Sequence, residues 1–301
     1  MPALLAGLLW LALAAPAAGQ DAVRWSAQEQ LSFAQRLLDQ GEYYRAVTEF
    51  SRFLHFFQDT EKADRALYGL GMAYLSGGKA GKAEQAFVDL SQQYPDSPLA
   101  LKALILACGA RVAGGAPEQG EACLSALAES ENPSLAAPAR YYLGFVRARL
   151  GEFDKARQAF ASTDMEGGGP FRVPGVSSAL DPADNLPYKN PTAAGVLAAM
   201  PGAGHAYLGR YQDAAMALFV NAAFAVATWQ AFDEDLWALG ALTGTVGLGF
   251  YAGSIHGAVT GAKKHNDRVT AQFAESLAAR HSGPAKEAGY PPPALFITIP
   301  F

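Results

Sequence analysis

Residues 67–95 read Leu-Tyr-Gly-Leu-Gly-Met-Ala-Tyr-Leu-Ser-Gly-Gly-Lys-Ala-Gly-Lys-Ala-Glu-Gln-Ala-Phe-Val-Asp-Leu-Ser-Gln-Gln-Tyr-Pro. The fixed points are Leu70-Gly71, Tyr74, Gly78, Ala83, Phe87 and Pro95. Upstream, Gly41-Glu42-Tyr43, Ala46 and Phe50 fall on the same frame; downstream, Leu143-Gly144, Gly151-Glu152-Phe153, Ala156 and Phe160 do. From glycine to alanine is five residues each time, and from alanine to phenylalanine four. A degenerate unit is expected between them, around 101–128, with Ala122 at the small position and a longer loop at Gly114-Gly115-Ala116-Pro117. The steps Ala46, Ala83, Ala122, Ala156 are then 37, 39 and 34 residues.

These residues resemble the tetratricopeptide repeat, a helix–turn–helix unit of about 34 residues. The resemblance implies that residues 20–164 form stacked helix pairs, none of which can bury its apolar face alone. Gly71 and Gly144 with Ala83 and Ala156 would let paired helices approach, while Phe87 and Phe160 fill the seams. It also implies a concave groove that binds a polypeptide partner. Gly77 to Lys82 is rich in glycine and lysine but is no phosphate loop: Ser76 stands where the first glycine belongs and Ala83 replaces the Ser/Thr. It is read as the turn of the best repeat.

The flanks of this region differ from it. The chain has 301 residues, 50% hydrophobic and 17% charged, with net charge −5 and a pI near 5.6. That acidity argues against nucleic acid as a partner. Residues 1–20, 214–232 and 236–262 carry no charged side chain. The apolar run 3–15 is too short to span a bilayer, which takes about 20 residues. Pro16 and the small trio Ala17-Ala18-Gly19 follow it, the layout of a signal peptide over 1–19, although no Lys or Arg precedes the run. In an exported chain the two cysteines, Cys108 and Cys123, suggest a disulfide closing a loop of about 15 residues. The alternative is two buried thiols.

Residues 165–192 hold Gly167-Gly168-Gly169-Pro170, Pro174, Pro182, Pro187 and Pro191 and read as a linker. Residues 193–281 then read as a membrane helical hairpin with a polar helical extension. Its first long helix is Tyr211–Phe232, Asp233-Glu234-Asp235 is the turn, and Leu236 to about Ala262 is the second helix. Trp229 and Trp237 at one end and Tyr207 and Tyr211 at the other fit interfacial belts. Gly240, Gly244, Gly249, Gly253, Gly257 and Gly261 form a ladder, a helix-packing surface in lipid. Asn221 and His256 are expected to face the bundle interior as polar glue, hydrogen-bonding each other or a backbone carbonyl.

The run from Asn190 to Phe232 resembles a bacterial family whose motif, Pro-Gly-x-Gly-[His/Gln]-x-Tyr-x-Gly, opens a membrane hairpin. Pro201, Gly202, Gly204, His205, Tyr207 and Gly209 carry the match. The resemblance implies a membrane address and no activity; His205 is expected to be an interface histidine. With a leader, the repeat domain would be periplasmic and the hairpin in the inner membrane of a bacterial envelope. The positive-inside rule points the other way, because Lys263 and Lys264 would then lie outside.

Residues 282–301 are expected to be an extended tail. Leu295, Ile297, Ile299 and Phe301 alternate as in a strand, and the tail is expected to dock on the repeat domain or on a partner's strand edge. The fold class is therefore all-α: a tetratricopeptide-like solenoid followed by a transmembrane helical hairpin. The function expected is a membrane-anchored interaction scaffold with a polypeptide partner, the bilayer and a homo-oligomer as contacts. The alternative is a small oligomeric transport or assembly element in which Asn221 and His256 line a passage. No enzyme, cofactor or metal site is expected: hydrolase and metalloprotease motifs are absent, and five scattered histidines make no ligand spacing.

Overall fold

The computed structural model describes residues 26–165, 169–172 and 175–297. The expected leader at 1–19 and Phe301 lie outside the described residues. The described residues contain no strand. The first eight helices are α1 (Ala27–Asp39), α2 (Tyr43–Phe57), α3 (Ala63–Ser76), α4 (Ala80–Gln93), α5 (Ala100–Ala113), α6 (Pro117–Ala128), α7 (Pro133–Arg149) and α8 (Phe153–Met165). Each packs on the next in sequence, giving four helix pairs in a tetratricopeptide-like solenoid.

Within every pair the turn is three residues long, at 40–42, 77–79, 114–116 and 150–152. The loop at 114–116 is thus no longer than the others. Each turn has a glycine at φ between +71° and +86°, namely Gly41, Gly78, Gly115 and Gly151. A Cβ there would be strained, so glycine fixes where each second helix begins. Five residues on stands the small residue at the close approach: Ala46, Ala83, Gly120 and Ala156. The third unit's small position is therefore Gly120, which is buried, and not Ala122, which is exposed. A Cβ on Gly120 would collide with Val112. The steps become 37, 37 and 36 residues.

The same frame organises the core. The Phe87 ring lies 2.6 Å from where a Gly71 Cβ would sit, and the Phe160 ring 2.5 Å from that of Gly144. In the third unit Cys108 takes the glycine's place and Leu124 the phenylalanine's. There Cys108 and Cys123 are joined as a disulfide across α5 and α6, with Cα atoms 5.6 Å apart. Ion pairs repeat the register between units: Arg111 Nε to Glu84 Oε1 at 2.7 Å and Arg147 Nε to Glu121 Oε1 at 2.9 Å. The first helices of neighbouring pairs contact one another more closely than the second helices do, so they form the inner face.

In the segment expected to be a linker, the described residues 169–172 and 175–192 pack as a strap. Single 3-10 turns at Gly169–Phe171 and Asp181–Asn185 flank α9 (Val176–Ala179). Phe171, Val176, Leu180 and Ala183 are buried. Arg157 donates to the Leu180 carbonyl at 3.2 Å and to Asp184 at 3.0 Å. Prolines stop long helices here, but apolar residues between them still find the open end of the last pair.

Beyond the strap come α10 (Pro191–Leu197), α11 (Ala203–Tyr207), α12 (Tyr211–Asp233), α13 (Trp237–Arg280), α14 (Gly283–Glu287) and α15 (Ala294–Ile297). Helices α12 and α13 pack on each other as a hairpin. Both are long and apolar enough to cross a membrane, with mean hydropathies of 1.5 and 1.3 over windows only 6% buried. At 1.5 Å per residue, α13 is about 66 Å long. Its Ala258 and Ala262 are buried with Ala194 of α10 and Ala198 just after it. Further on, Ala274, Leu277 and Ala278 join the main repeat core.

The tail from 282 is not extended: α14 and α15 are helical turns. Alternation at 295 and 297 does not make a strand, because the adjacent Phe296 and Ile297 are both buried. One docked surface takes neighbouring side chains only if the chain turns.

Candidate functional site

The inner face of the solenoid is occupied by the chain's own C-terminal segment. α15 packs on α5 and α7, the first helices of the third and fourth pairs. The Phe296 ring is buried against Gly109, where a Cβ would come within 2.6 Å of it. The ring also meets Tyr142 edge-on, with centroids 5.1 Å apart. Tyr290 sits between the strap and the groove: its ring meets Phe171 edge-on with centroids 5.2 Å apart and lies 4.5 Å from the Lys102 ammonium.

The polar contacts share one direction: repeat side chains donate and tail carbonyls accept. Tyr142 Oη donates to the Pro291 carbonyl at 2.6 Å, and Tyr141 Oη to that of His281 at 2.6 Å. Lys102 Nζ donates to the Gly289 carbonyl at 2.8 Å and Arg149 Nε to that of Ile297 at 3.3 Å. Several of the tail's own N–H groups bond within it. Tyr290 N donates to the Ala285 carbonyl at 2.7 Å, and Leu295 and Phe296 N to those of Pro292 and Pro293 at 3.0 Å. Pro291, Pro292 and Pro293 have no N–H to satisfy.

Burial sets the titration of this site. It raises the Tyr68, Tyr141 and Tyr142 phenols above their ordinary value of 10.0 and pushes Tyr290 up to about 12. Burial also lowers Lys102 and, with the nearby Arg280 charge, His281. All these groups favour their neutral forms, as desolvation requires.

A second constellation lies at the base of the hairpin. Pro201 to Gly209 form the turn and short helix α11, packed on both α12 and α13. Gly202 has φ +88°, and a Cβ there would strike the Ala214 carbonyl. A Cβ on Gly204 would come within 2.5 Å of the Ala194 carbonyl, so α10 and α11 touch through it. Tyr207 Oη accepts from Asn190 N at 3.1 Å, with the Lys189 ammonium 4.9 Å from its ring. Asn266 closes the base, accepting from Lys189 N at 2.8 Å and donating to its carbonyl at 2.9 Å. His205 is buried, with its ring 3.4 Å from a Gly257 Cβ position.

The glycine ladder is divided. At Gly240 and Gly244 a Cβ would meet Phe232 at 2.7 Å and Thr228 at 3.3 Å, both on α12. Gly247, outside the ladder, approaches the Phe224 Cβ at 2.9 Å. Gly257 and Gly261 face His205 and Leu208 instead. Gly249 and Gly253 meet nothing within 4 Å and line an open cleft of about 550 Å³ between α12 and α13. Asn221 and His256 do not converge. Asn221 donates to its own helix, at the Ala217 carbonyl (2.7 Å), and His256 is exposed beside Thr260 at 3.3 Å. Of the two partners expected for them, Asn221 takes a backbone carbonyl and lines the cleft between α12 and α13, whereas the two side chains do not bond each other. Among the described residues no metal-binding group of His, Cys, Asp or Glu is assembled.

The sequence reading missed Lys102, Gly109 and Tyr142 of the groove and Tyr290 and Phe296, the tail residues that enter it. Two signals were present: a lone Gly109 inside an apolar helix, and an aromatic directly before three prolines.

Compared with known families, residues 65–97 match the tetratricopeptide repeat. No curated protein and no solved structure matches the chain. The match covers the second helix pair and the start of the next connection, the part in which Gly71, Ala83 and Phe87 lie.

Proposed function

We propose that this chain is a membrane-anchored protein–protein interaction scaffold. The observation that carries the reading is α13. One unbroken helix is bare and apolar where it packs with α12, and is buried in the repeat core at its other end. Large apolar side chains such as Phe219 and Trp229 are more than 70% exposed on α12, which a bilayer would cover. Repeats of the tetratricopeptide type generally mediate protein–protein interaction. With the tail on the third and fourth pairs, the first two pairs offer an open hollow of about 210 Å³. Tyr43, Tyr44, Val47, Tyr74, Lys79 and Lys82 line it, and a polypeptide partner docks there. The disulfide supports placing the repeats in an oxidising compartment, the periplasm of a bacterial envelope. The bare α12 face also serves contact with a second copy in the bilayer.

The test uses the full chain in native membranes. A photo-crosslinking residue in place of Tyr44 is expected to give one defined adduct, lost on Tyr74→Ala, and the chain is expected to resist carbonate extraction. Extraction into the soluble fraction would remove the anchor, and the absence of any defined adduct would remove the scaffold.

A further inference from the structure

We infer that the inner face at α5 and α7 is a peptide-recognition site, that residues 283–297 are its tethered ligand, and that its partner in trans is a polypeptide segment with an aromatic residue, three prolines and a following phenylalanine. This deepens the scaffold reading and rests on it. The argument is how the groove holds the tail. Three side-chain donors, Lys102, Tyr142 and Arg149, engage main-chain carbonyls of this segment, at Gly289, Pro291 and Ile297, and Tyr141 holds the His281 carbonyl just before it. No donor of the groove reads a polar side chain of the tail in these bonds. Such a surface suits a chain that offers carbonyls and demands no acceptor, which is what consecutive prolines do.

Two aromatic positions then fix register. Tyr290 meets Lys102 and Phe171, and Phe296 enters the slot left by the missing side chain of Gly109. The tail is held by these points and not by regular structure of its own. α14 and α15 are five and four residues long, far too short to persist alone. Release without replacement would leave the buried Tyr142 hydroxyl unpaired and the Gly109 slot empty. Exchange therefore favours an incoming segment that repeats the tail's pattern: aromatic, Pro-Pro-Pro, two residues, Phe.

The experiment adds a fluorescent peptide of residues 283–297 to the detergent-solubilised full chain and follows peptide anisotropy together with hydrogen exchange of the tail. Saturable binding with faster exchange at 285–297 is expected. The Phe296→Ala full chain is expected to bind the peptide at least ten-fold more tightly. A peptide carrying that substitution, or alanines for the three prolines, is expected to bind at least ten-fold more weakly. Tail exchange unchanged at saturating peptide, or equal affinity for wild type and variant, would overturn the inference. Either result leaves the Tyr44 adduct and the carbonate resistance untouched, so the scaffold reading fails or stands separately. If Phe296→Ala lowers the repeat domain's own helicity, the wild-type exchange measurement alone decides.

Discussion

At the scale of single residues, the third repeat shows what a frame means physically. Spacing from conserved-looking alanines selects Ala122, because alanine is the small residue in the other units. The structure selects Gly120, because the left-handed Gly115 sets the start of α6 and the fourth helical residue must approach α5. The two readings separate by mutation. Gly120→Ala is expected to destabilise by about 1–3 kcal/mol, because its Cβ meets Val112 and lies 3.0 Å from the Cys108 carbonyl, which cannot move aside cheaply. Ala122→Leu, on the exposed face, is expected to stay within about 0.5 kcal/mol. Denaturant midpoints of the two variants check this; the reverse ranking would restore Ala122 to the frame.

At the scale of elements, helices and their pairing were legible because they repeat: Gly78, Ala83 and Phe87 recur as Gly151, Ala156 and Phe160. The two long apolar helices were legible from their lack of charge. Docking of the tail on the repeat domain was one of two outcomes its sequence suggested, but its helical turns and the packing of the strap were not legible, since short turns between prolines carry no period and their order comes from docking on distant residues. The disulfide shows how one element compensates another. Units two and four bury a ring over glycine, whereas unit three has only Leu124 beside Cys108. Reduction, or Cys123→Ser, is expected to cost about 3 kcal/mol in the chain-entropy account. The loss should appear as a lower melting temperature, with faster hydrogen exchange first in α5 and α6. In the hairpin, Gly247→Ala presses on the Phe224 Cβ at 2.9 Å and is expected to cost about 1–3 kcal/mol. Gly253→Ala meets nothing within 4 Å and is expected to gain up to about 1 kcal/mol of helix propensity. Thermal unfolding in detergent distinguishes them; a destabilised Gly253→Ala in membranes alone would mean that this glycine packs against a second copy.

At the scale of the whole molecule, α13 and the tail join the apolar hairpin to the inner face of the repeats, and the joint titrates. Tyr68, Tyr141, Tyr142 and Tyr290 all have phenols raised by burial, Tyr290 to about 12. A raised folded value means that the native state keeps its protons longer than the released chain does. The stability from these groups is therefore whole below pH 10 and is lost as pH rises towards 12 and beyond. Lys102 has the opposite sign: its lowered value relieves a burial cost as pH rises towards 10.5, the ordinary lysine value, so its change is complete near where the loss from the phenols begins. His281 acts on the acid side: its value lies below 6.5, so its contribution is whole above 6.5 and falls as the pH drops through the folded value. Tail docking is accordingly expected to be strongest between about pH 6.5 and 10, the ordinary values of histidine and tyrosine. Hydrogen exchange of residues 285–297, corrected for its intrinsic pH dependence, should rise on either side of that window. Tyr142→Phe removes the donor to Pro291 and one ionising phenol together. It is expected to weaken docking at neutral pH and to flatten the alkaline loss; an alkaline slope unchanged by this variant would show that the loss arises away from the groove.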